Sequence, residues 1–483
     1  MKPTPKLPTL VAVAVAAVLA GCAVGPDFKR PEPPHADQYV APKAAADTNP
    51  TDRQELLLGQ SPANQWWHFF GSDALDQIVA RALQSNRRLT AEQWTLAQSQ
   101  ELINARSGGR WPEIDLNAGT GRQKYGSQFL GPLPKPPPFT YFSVGATVSY
   151  SLDFTGNLTR TIEQQRALAE YQQHQVEAAQ LAVTGNAVNQ ALEVASLRAQ
   201  IGTVEALLDR DRENLKLVQV AFDAGSVSRL DVVSAQSQLA SDTTLLSPLR
   251  QQLAEARHAL ALTLGVAPAD ASLPDLDLAQ LTLPPQLPVS LPSELARRRP
   301  DILSAESQLH AATAAVGVAT SNLYPRITLT GTTGQQSITT GELFDTKSNA
   351  WSIVSGLVAP IFDGGTLRAE KRAAVDAMHA SAATYEHTVL TAFSQVADSL
   401  EALDNGSQQL VAQANAEAAA RDTVTMTRQS YNEGNVGVLQ VLDAERRYQQ
   451  ARLGYVRAQA QRYVDTAQLM LALGGAGPTT PGT

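Results

Sequence analysis

Apolar residues recur at intervals of three and four along the stretch from Gly156 to Gly265. In the first part of this stretch the apolar positions form a stripe that a single polar residue, Asp211, interrupts. The stripe is narrower than the apolar stripe of a typical globular helix. We therefore predict a long helix with a coiled-coil seam. The seam residues are Val194, Leu197, Ile201, Val204, Leu208, Asp211, Leu215, Val218 and Phe222.

The predicted helix turns back at residues 222–231, which we call the first apex. Gly225 can adopt the left-handed conformation that ends a helix, and Ser228 with Asp231 three residues later is the signature of a new helix start. The return arm has apolar residues at similar spacing, and Pro248 is expected to interrupt and kink it. This stretch is thus predicted to be a helical hairpin with a tight turn.

The same pattern occurs a second time without an insertion. Gly365 to Gly474 corresponds to Gly156 to Gly265, an offset of 209 residues (365 against 156). We call residues 431–440 the second apex. Long helices in register exclude insertions, because a slip would rotate the seam away from its partner. The chain is therefore predicted to contain two internal repeats.

Each repeat also contains two segments in which apolar and polar residues alternate. They lie near residues 114–119 and 142–153 in the first repeat, and near 327–330 and, more weakly, 351–362 in the second. One apolar face and one small polar face are typical of a strand in a membrane barrel, and also of a soluble, half-buried hairpin. Four strands cannot close a barrel, and eight would fill it with side chains, so a channel needs at least three chains.

The predicted fold class is therefore mixed, with long antiparallel coiled-coil helical hairpins and four transmembrane β-barrel strands per chain. In chain order, the predicted segments are a signal peptide (1–21), a lipidated N-terminal tether (22–72), the helix of repeat 1 (73–110), barrel strands 1 and 2 (111–153), the first coiled-coil hairpin (154–265), a connector (266–300), the helix of repeat 2 (301–323), barrel strands 3 and 4 (324–362), the second hairpin (363–474) and a loose tail (475–483).

The N-terminus has the features of a secretory signal followed by a lipid-attachment site. Two lysines precede an apolar run that is too short to span a bilayer, and Leu19-Ala-Gly-Cys22 resembles the bacterial lipoprotein cleavage box. Cys22 is also the only cysteine in the chain. We expect acylation of Cys22, and Ala23 in place of an aspartate favours the outer membrane. The alternative is an ordinary signal with a chance cysteine.

Composition and charge exclude several classes of function. The formal net charge of −8 gives no reason to expect a nucleic-acid partner. The seven histidines lack metal-ligand spacing, and no Gly-rich phosphate loop or nucleophile elbow is present. We therefore expect neither enzymatic activity nor a cofactor nor a bound metal.

These features together resemble the TolC-like outer membrane factor family, in the lipoprotein branch that serves RND-type multidrug efflux pumps. The resemblance rests on Cys22, the Trp66-Trp67 region, Leu295-Ala-Arg-Arg-Arg-Pro-Asp301 and the two apices. It implies a homotrimer with a twelve-stranded barrel in outer-membrane lipid above a long periplasmic helical tunnel. It also implies that the tunnel tips dock a periplasmic adaptor protein, which links the duct to an inner-membrane pump. The expected docking residues are Gly225, Val227, Leu230, Gly434, Val436 and Leu439.

The resemblance also implies where the periplasmic entrance closes. One polar contact of the closed TolC entrance falls on Tyr431 and Asp231, whereas a second falls on Val436, so that second contact is absent. Asp443 matches one of two pore aspartates, and Arg446 matches an arginine one turn later. Asp443 and Arg446, three residues apart, can share a helix face. The alternatives are that Asp231 only caps its helix and that Asp443 is a solvated charge.

The function expected from the sequence is an outer-membrane exit duct for drugs or other small molecules. Two alternatives within transport are the duct of a type I protein secretion system and that of a metal-ion efflux system. A trimeric structural or adhesive coiled coil is an alternative of a different class, although a stalk needs no strand pairs between its hairpins. Neither the substrate nor the particular adaptor and pump follows from the sequence.

Overall fold

The computed structural model describes residues 23–32, 38–40, 54–126, 137–272, 274 and 276–475. These residues form two compact units. The first contains residues 96–171 and 305–385 with the described residues before Glu32, and the second contains the remainder. The predicted signal peptide, Cys22 and most of the C-terminal tail lie outside the described residues.

Six strands and nine helices of regular structure run along the described chain. The strands are β1 (Glu55–Leu58), β2 (Glu113–Gln123), β3 (Phe139–Leu152), β4 (Gln286–Val289), β5 (Arg326–Ser337) and β6 (Asn349–Val358). The helices are α1 (Asp73–Ser85), α2 (Arg87–Gly108), α3 (Asn157–Asp223), α4 (Arg229–Thr243), α5 (Leu246–Thr263), α6 (Pro292–Arg298), α7 (Pro300–Ser321), α8 (Thr366–Asn432) and α9 (Val438–Ala472).

The longest elements are α3 and α8, which have 67 residues each. Their first residues are 209 positions apart (366 against 157), the offset found in the sequence. Helix α8 turns back into the single helix α9, whereas α3 turns back into two helices, α4 and α5. The break lies at Thr244–Leu245, where Pro248, four residues after Thr244, cannot donate to its carbonyl and clashes with it. The predicted interruption by Pro248 is thus confirmed.

The first unit contains a four-stranded antiparallel sheet with the strand order β2-β3-β5-β6. The register places apolar residues of all four strands on one face, and most of them are exposed on β2 and β6. On the other face, the side chains of Asn117 and Thr147 are hydrogen-bonded at 2.9 Å, and those of Thr332 and Ser352 at 2.7 Å. One face of the sheet is thus mainly apolar and accessible, and the other is mainly polar.

The second unit contains the hairpin arms, whose contact follows the predicted seam. Leu197, Val204 and Leu208 of α3 form a buried cluster with Leu249 of α5. Further seam residues pack against it, namely Ile201, Leu239, Leu246, Leu253 and Ala256. Burial of these side chains stabilises the hairpin, at about 1.5–3 kcal/mol for each fully buried aliphatic residue.

Aromatic residues fill a core at the entry to α1. Trp66 and Phe70 are fully buried and Trp67 nearly so. Ser72 caps α1 by accepting a hydrogen bond from the Leu75 N–H.

One part of the sequence interpretation was wrong. The tether was expected to be an extended linker and the connector to have little secondary structure, but β1 and β4 pair in parallel from Glu55↔Gln286 to Leu58↔Val289. Each strand has only four residues, too few for a clear alternating pattern, and the partners are far apart in sequence. Among the described residues, no helix is both long enough and apolar enough to cross a membrane.

Candidate functional site

The first apex ends α3 and starts α4 through two local hydrogen-bond motifs. Gly225 has a φ of 74°, and the Gly225 and Ser226 N–H groups donate to the carbonyls of Phe222 and Ala221 at 2.8 Å each. Ser228 and Asp231 then form a reciprocal capping box, in which the Ser228 N–H and Oγ–H both donate to Asp231 Oδ2 at 2.7 Å. The predicted turn glycine and helix start are therefore confirmed.

The second apex has the same turn but a weaker helix start. Gly434 has a φ of 77°, and the Gly434 and Asn435 N–H groups donate to the carbonyls of Tyr431 and Ser430. Gly437 occupies the N-cap position of α9 and offers no side chain to the free N–H groups. Both turns require glycine, because other residues are strained at this φ.

An apolar cluster lies beneath the apices and joins the two hairpins. Val218, Val232 and Ala235 of the first hairpin are buried, and Val438 and Leu442 of α9 pack against them. The docking candidate Val227 packs against the same cluster. Two other docking candidates, Leu230 and Leu439, are exposed by 69% and 43%. At Gly225 and Gly434 an added Cβ would have no heavy atom within 4 Å, so the backbone there is accessible.

The described contacts of the chain include none between Tyr431 and Asp231. Asp231 is partly exposed, and the hydrogen bonds from Ser228 hold the pKa of its carboxyl below the ordinary value. Both bonds go to Oδ2. Within one chain, Asp231 is therefore a helix cap, and its contact with Tyr431 stays a prediction.

Asp443 and Arg446 share a face of α9, as predicted. Arg446 Nη2 lies 2.6 Å from Asp443 Oδ1, and Arg447 Nε lies 2.8 Å from Asp443 Oδ2. The two guanidinium groups, Arg446 foremost, hold the pKa of the Asp443 carboxyl below its usual range. The contact between Arg447 and Asp443 was not predicted, although the spacing of four residues between them could have indicated it. The charge of Asp443 is consequently compensated within α9 by two arginines.

A buried ion pair that links three helices was also not anticipated. Glu445 of α9 is 5% exposed and is bound by Arg428 of α8, with Arg428 Nε at 2.8 Å from Glu445 Oε1. Asn214 of α3 donates to the other oxygen, Oε2. We call this group the three-helix brace. It connects the first hairpin to both arms of the second, near the proposed gate residues.

The N-terminal segment is held against the end of the sheet. The Val24 N–H donates to the Thr155 carbonyl, and a Cβ on Gly156 would lie 2.6 Å from Ala23 Cα. Arg160 of α3, which is buried, binds Asp27 at 2.6 Å and Glu163 at 2.7 Å. Cys22 itself lies outside the described residues, but its neighbour Ala23 is fixed beside the junction of β3 and α3.

No group of three or more His, Cys, Asp and Glu side chains that could hold a metal ion occurs in the described ranges. The clusters around the apices contain carboxylates that are paired with arginine or engaged in helix capping. These carboxylates are therefore already engaged by partners within the chain.

Comparison with known proteins identifies relatives over almost the whole chain. The model of the family described as "Outer membrane efflux protein" matches residues 78–266 and 291–475. The pyoverdine export outer membrane protein OpmQ of Pseudomonas aeruginosa is 30% identical, over 90% of this chain and 93% of that protein. The probable outer membrane lipoprotein SilC of Salmonella typhimurium is 26% identical, over 96% of this chain and 98% of that protein.

The fold is likewise similar to that of a solved structure. The outer-membrane channel OprN superimposes with a TM-score of 0.84 and 28% sequence identity, and the match covers 94% of this chain and 99% of OprN. Both apices lie within the matched ranges of the family model.

Proposed function

The chain belongs to the outer membrane efflux protein family, and on that basis we propose that it is the outer-membrane exit duct of a tripartite efflux system. In this role it passes drugs or other small molecules from the periplasm to the exterior. The observation that carries the proposal is similarity along nearly the full length to proteins such as OpmQ, an outer-membrane export protein, and to the channel OprN. The partners of such a duct are a periplasmic adaptor and, through it, an inner-membrane RND-type pump.

The test of this function combines efflux in cells with conductance in vitro. Deletion should make the host more sensitive to exported compounds, and the gene in trans should restore resistance. The purified protein should form discrete channels in planar bilayers. A protein that never conducts would contradict the duct and favour a structural stalk.

The sheet of the first unit supports insertion as part of a transmembrane barrel. Its apolar face is accessible, as lipid contact requires, with Ile114, Leu116, Trp351 and Ile353 each exposed by more than two thirds. Its outer strands, β2 and β6, each have one unpaired edge in the single chain, and lipid does not tolerate open edges. Three copies would supply twelve strands, so we propose a homotrimer. Chemical crosslinking of the protein in its native membrane tests this, and trimers should be the largest product.

We propose that Cys22 carries the lipid that anchors the mature N-terminus. The support is the cleavage box in the sequence together with the position of Ala23 beside Gly156, at the end of the sheet that faces lipid. SilC is named as a lipoprotein, which agrees with this assignment. Mass spectrometry of the mature N-terminal peptide should find acyl chains on Cys22. An unmodified thiol or cleavage at another residue would contradict the proposal.

We propose that the apices dock the adaptor. The accessible backbone at Gly225 and Gly434 allows a second helical tip to approach closely, and the exposed Leu230 adds an apolar contact. Gly225→Leu and Gly434→Leu should abolish efflux while the protein remains abundant. Gly202→Leu is the matched control, because Gly202 also has open space around it but lies far from the apex in sequence. Leu230→Glu tests the same surface without a strained φ. Efflux that survives all apical variants would contradict the docking assignment.

We propose that Tyr431, Asp231, Asp443 and Arg446 control closure of the entrance. The capping bonds of Asp231 use only Oδ2, so Oδ1 is available to the hydroxyl of a Tyr431. A phenol that donates to a carboxylate forms a charge-assisted hydrogen bond, which is stronger than a hydrogen bond between neutral groups. Tyr431→Phe combined with Asp231→Ala should therefore raise conductance.

The control for this gate test is Ser228→Ala, which removes the capping side chain of the first apex and leaves Tyr431 and Asp231 in place. If Ser228→Ala raises conductance as much as the double variant, the cap and not the gate contact explains the effect.

A further inference from the structure

Two buried carboxyl groups meet between the arms of the first hairpin. Asp211 of α3 is 6% exposed and Asp242 of α4 is 8% exposed, and the two carboxyl groups lie close enough to interact. Gln238 Nε2 donates to Asp242 Oδ2 at 2.6 Å, whereas Asp211 Oδ2 is buried without a partner. A hydrogen bond between two carboxyl groups needs one proton, and two adjacent buried carboxylates repel each other strongly. The pair is therefore built to hold a proton.

The charged groups around this pair do not neutralise it. From α9, Glu445 faces Asp211, but the positive partner of Glu445 is Arg428 of α8. Also from α9, Arg446 lies near Asp242 but binds Asp443. Burial, Asp242 and Glu445 together raise the pKa of Asp211 from its ordinary value of 3.8 to about 7.

A small cavity lies beside Asp242. Its volume is about 50 Å³, and it is lined by residues of α3, α4 and α9 and of the break between α4 and α5. Asp242, Arg446 and Gln449 contribute polar groups, and Gln449 Oε1 is buried without a hydrogen-bond partner. A space of this volume with several polar groups in its lining can hold a water molecule beside Asp242.

The pair lies beside the break between α4 and α5. It lies between the two apolar clusters of the hairpin, one containing Leu208 and Leu249 and the other Val218 and Val232. Asp242 directly precedes the last residue of α4, and the break at residues 244–245 follows. Repulsion at this point acts on the joint between the apical segment and the rest of the return arm.

We propose that, in the exit duct proposed above, Asp211 and Asp242 form a proton-controlled latch. The pair holds α3 and α4 together while it shares a proton, and the apical segment pivots at residues 244–245 when that proton leaves. The effect of the latch on the duct rests on the proposed function, whereas the latch itself depends only on the first hairpin.

The pH range of the latch follows from the direction of the shift. A carboxyl group whose pKa is higher in the folded protein than its ordinary value binds more protons when folded. Its contribution to stability is complete below the ordinary value of 3.8 and is lost as the pH rises through about 7. The latch therefore loosens as the pH rises from acidic to mildly alkaline values.

Hydrogen exchange of the full-length protein tests the latch directly. We expect the protection factors of amides 229–245 to fall by about tenfold or more from about pH 5.5 to about pH 8.5, after correction for the intrinsic exchange rate. In Asp211→Asn, which mimics the protonated acid, this fall should vanish, and Asp242→Asn should behave alike. Asp209→Asn is the matched control, because Asp209 is an exposed residue of the same helix that pairs with Arg212, and it should keep the wild-type response.

Two results would overturn the latch. One is wild-type protection that does not change with pH, and the other is an unchanged fall in a folded Asp211→Asn or Asp242→Asn protein. Single-channel recordings on the same proteins separate the two proposals. If protection falls and conductance rises as the pH is raised, the latch acts in the duct as proposed. If the protein does not conduct at any pH, the proposed duct is refuted, and the exchange experiment alone then tests the latch.

Discussion

The three-helix brace can be tested by single substitutions, because its two charged residues differ in burial. The Glu445 side chain is 6% exposed, whereas that of Arg428 is 46% exposed. In Arg428→Met the Glu445 carboxylate stays buried with only the Asn214 amide as a partner. In Glu445→Gln the arginine can turn into water. Removal of the arginine should therefore cost more than removal of the carboxylate.

The expected magnitudes follow from the same exposures. Breaking a fully buried ion pair costs about 3–5 kcal/mol, and an exposed pair contributes about 0–1 kcal/mol. Because Arg428 is half exposed, we expect about 2 kcal/mol for Arg428→Met and about 1 kcal/mol or less for Glu445→Gln. A loss of 2 kcal/mol corresponds to a roughly thirtyfold larger population of the open segment, and hence to roughly thirtyfold faster hydrogen exchange.

Local hydrogen exchange measures these differences without complete unfolding of the protein. Amides of residues 438–450 should lose the most protection in Arg428→Met, and the double variant should lose less than the two single variants added together. Arg212→Met is the control, since Arg212 pairs with Asp209 at 2.7 Å on the exposed surface of α3. Equal losses in Arg428→Met and Glu445→Gln, or a loss in Arg428→Met no larger than in the control, would refute the argument from burial.

Three further outcomes are expected. Ser228→Ala should weaken the start of α4 by about 1 kcal/mol, seen as faster exchange of the first amides of α4, because it removes the capping box. Gly437→Ser should protect the start of α9, because serine adds the side-chain cap that this position lacks. Arg160→Met should release the N-terminal segment, seen as faster proteolysis before residue 31, because Arg160 holds both Asp27 and the Val24 carbonyl.

Local signals in the sequence were sufficient for the parts of the site that form within one helix or one turn. The positive φ of Gly225 and Gly434 and the contact of Asp443 with Arg446 all involve residues within a few positions of one another. Propensity, capping and three-to-four-residue spacing act over this range, so the sequence reports them directly.

Contacts between distant segments could not be obtained in this way. Asp211 was recognisable as the one polar residue of the seam, but its partner Asp242 lies on the opposite arm, where the register depends on the turn and on the break near Pro248. Arg299 stands in a run of three arginines, yet it alone is buried, and there it donates to the carbonyl of the distant Ala472. Such pairings depend on tertiary packing, which one sequence does not encode in its spacing.

The equal lengths of α3 and α8 restrict how such a chain can change its length. One added residue turns every later side chain of a helix by about 100°, which would carry the buried seam of Leu197, Val204 and Leu208 out of contact. Seven residues restore the seam to within about 20°. An insertion in α3 must also be matched in its return arm, and the brace through Asn214 and Arg428 extends that requirement to α8. The reach of the hairpins is therefore quantised: it can grow or shrink only in steps of whole heptads, taken by all the arms at once.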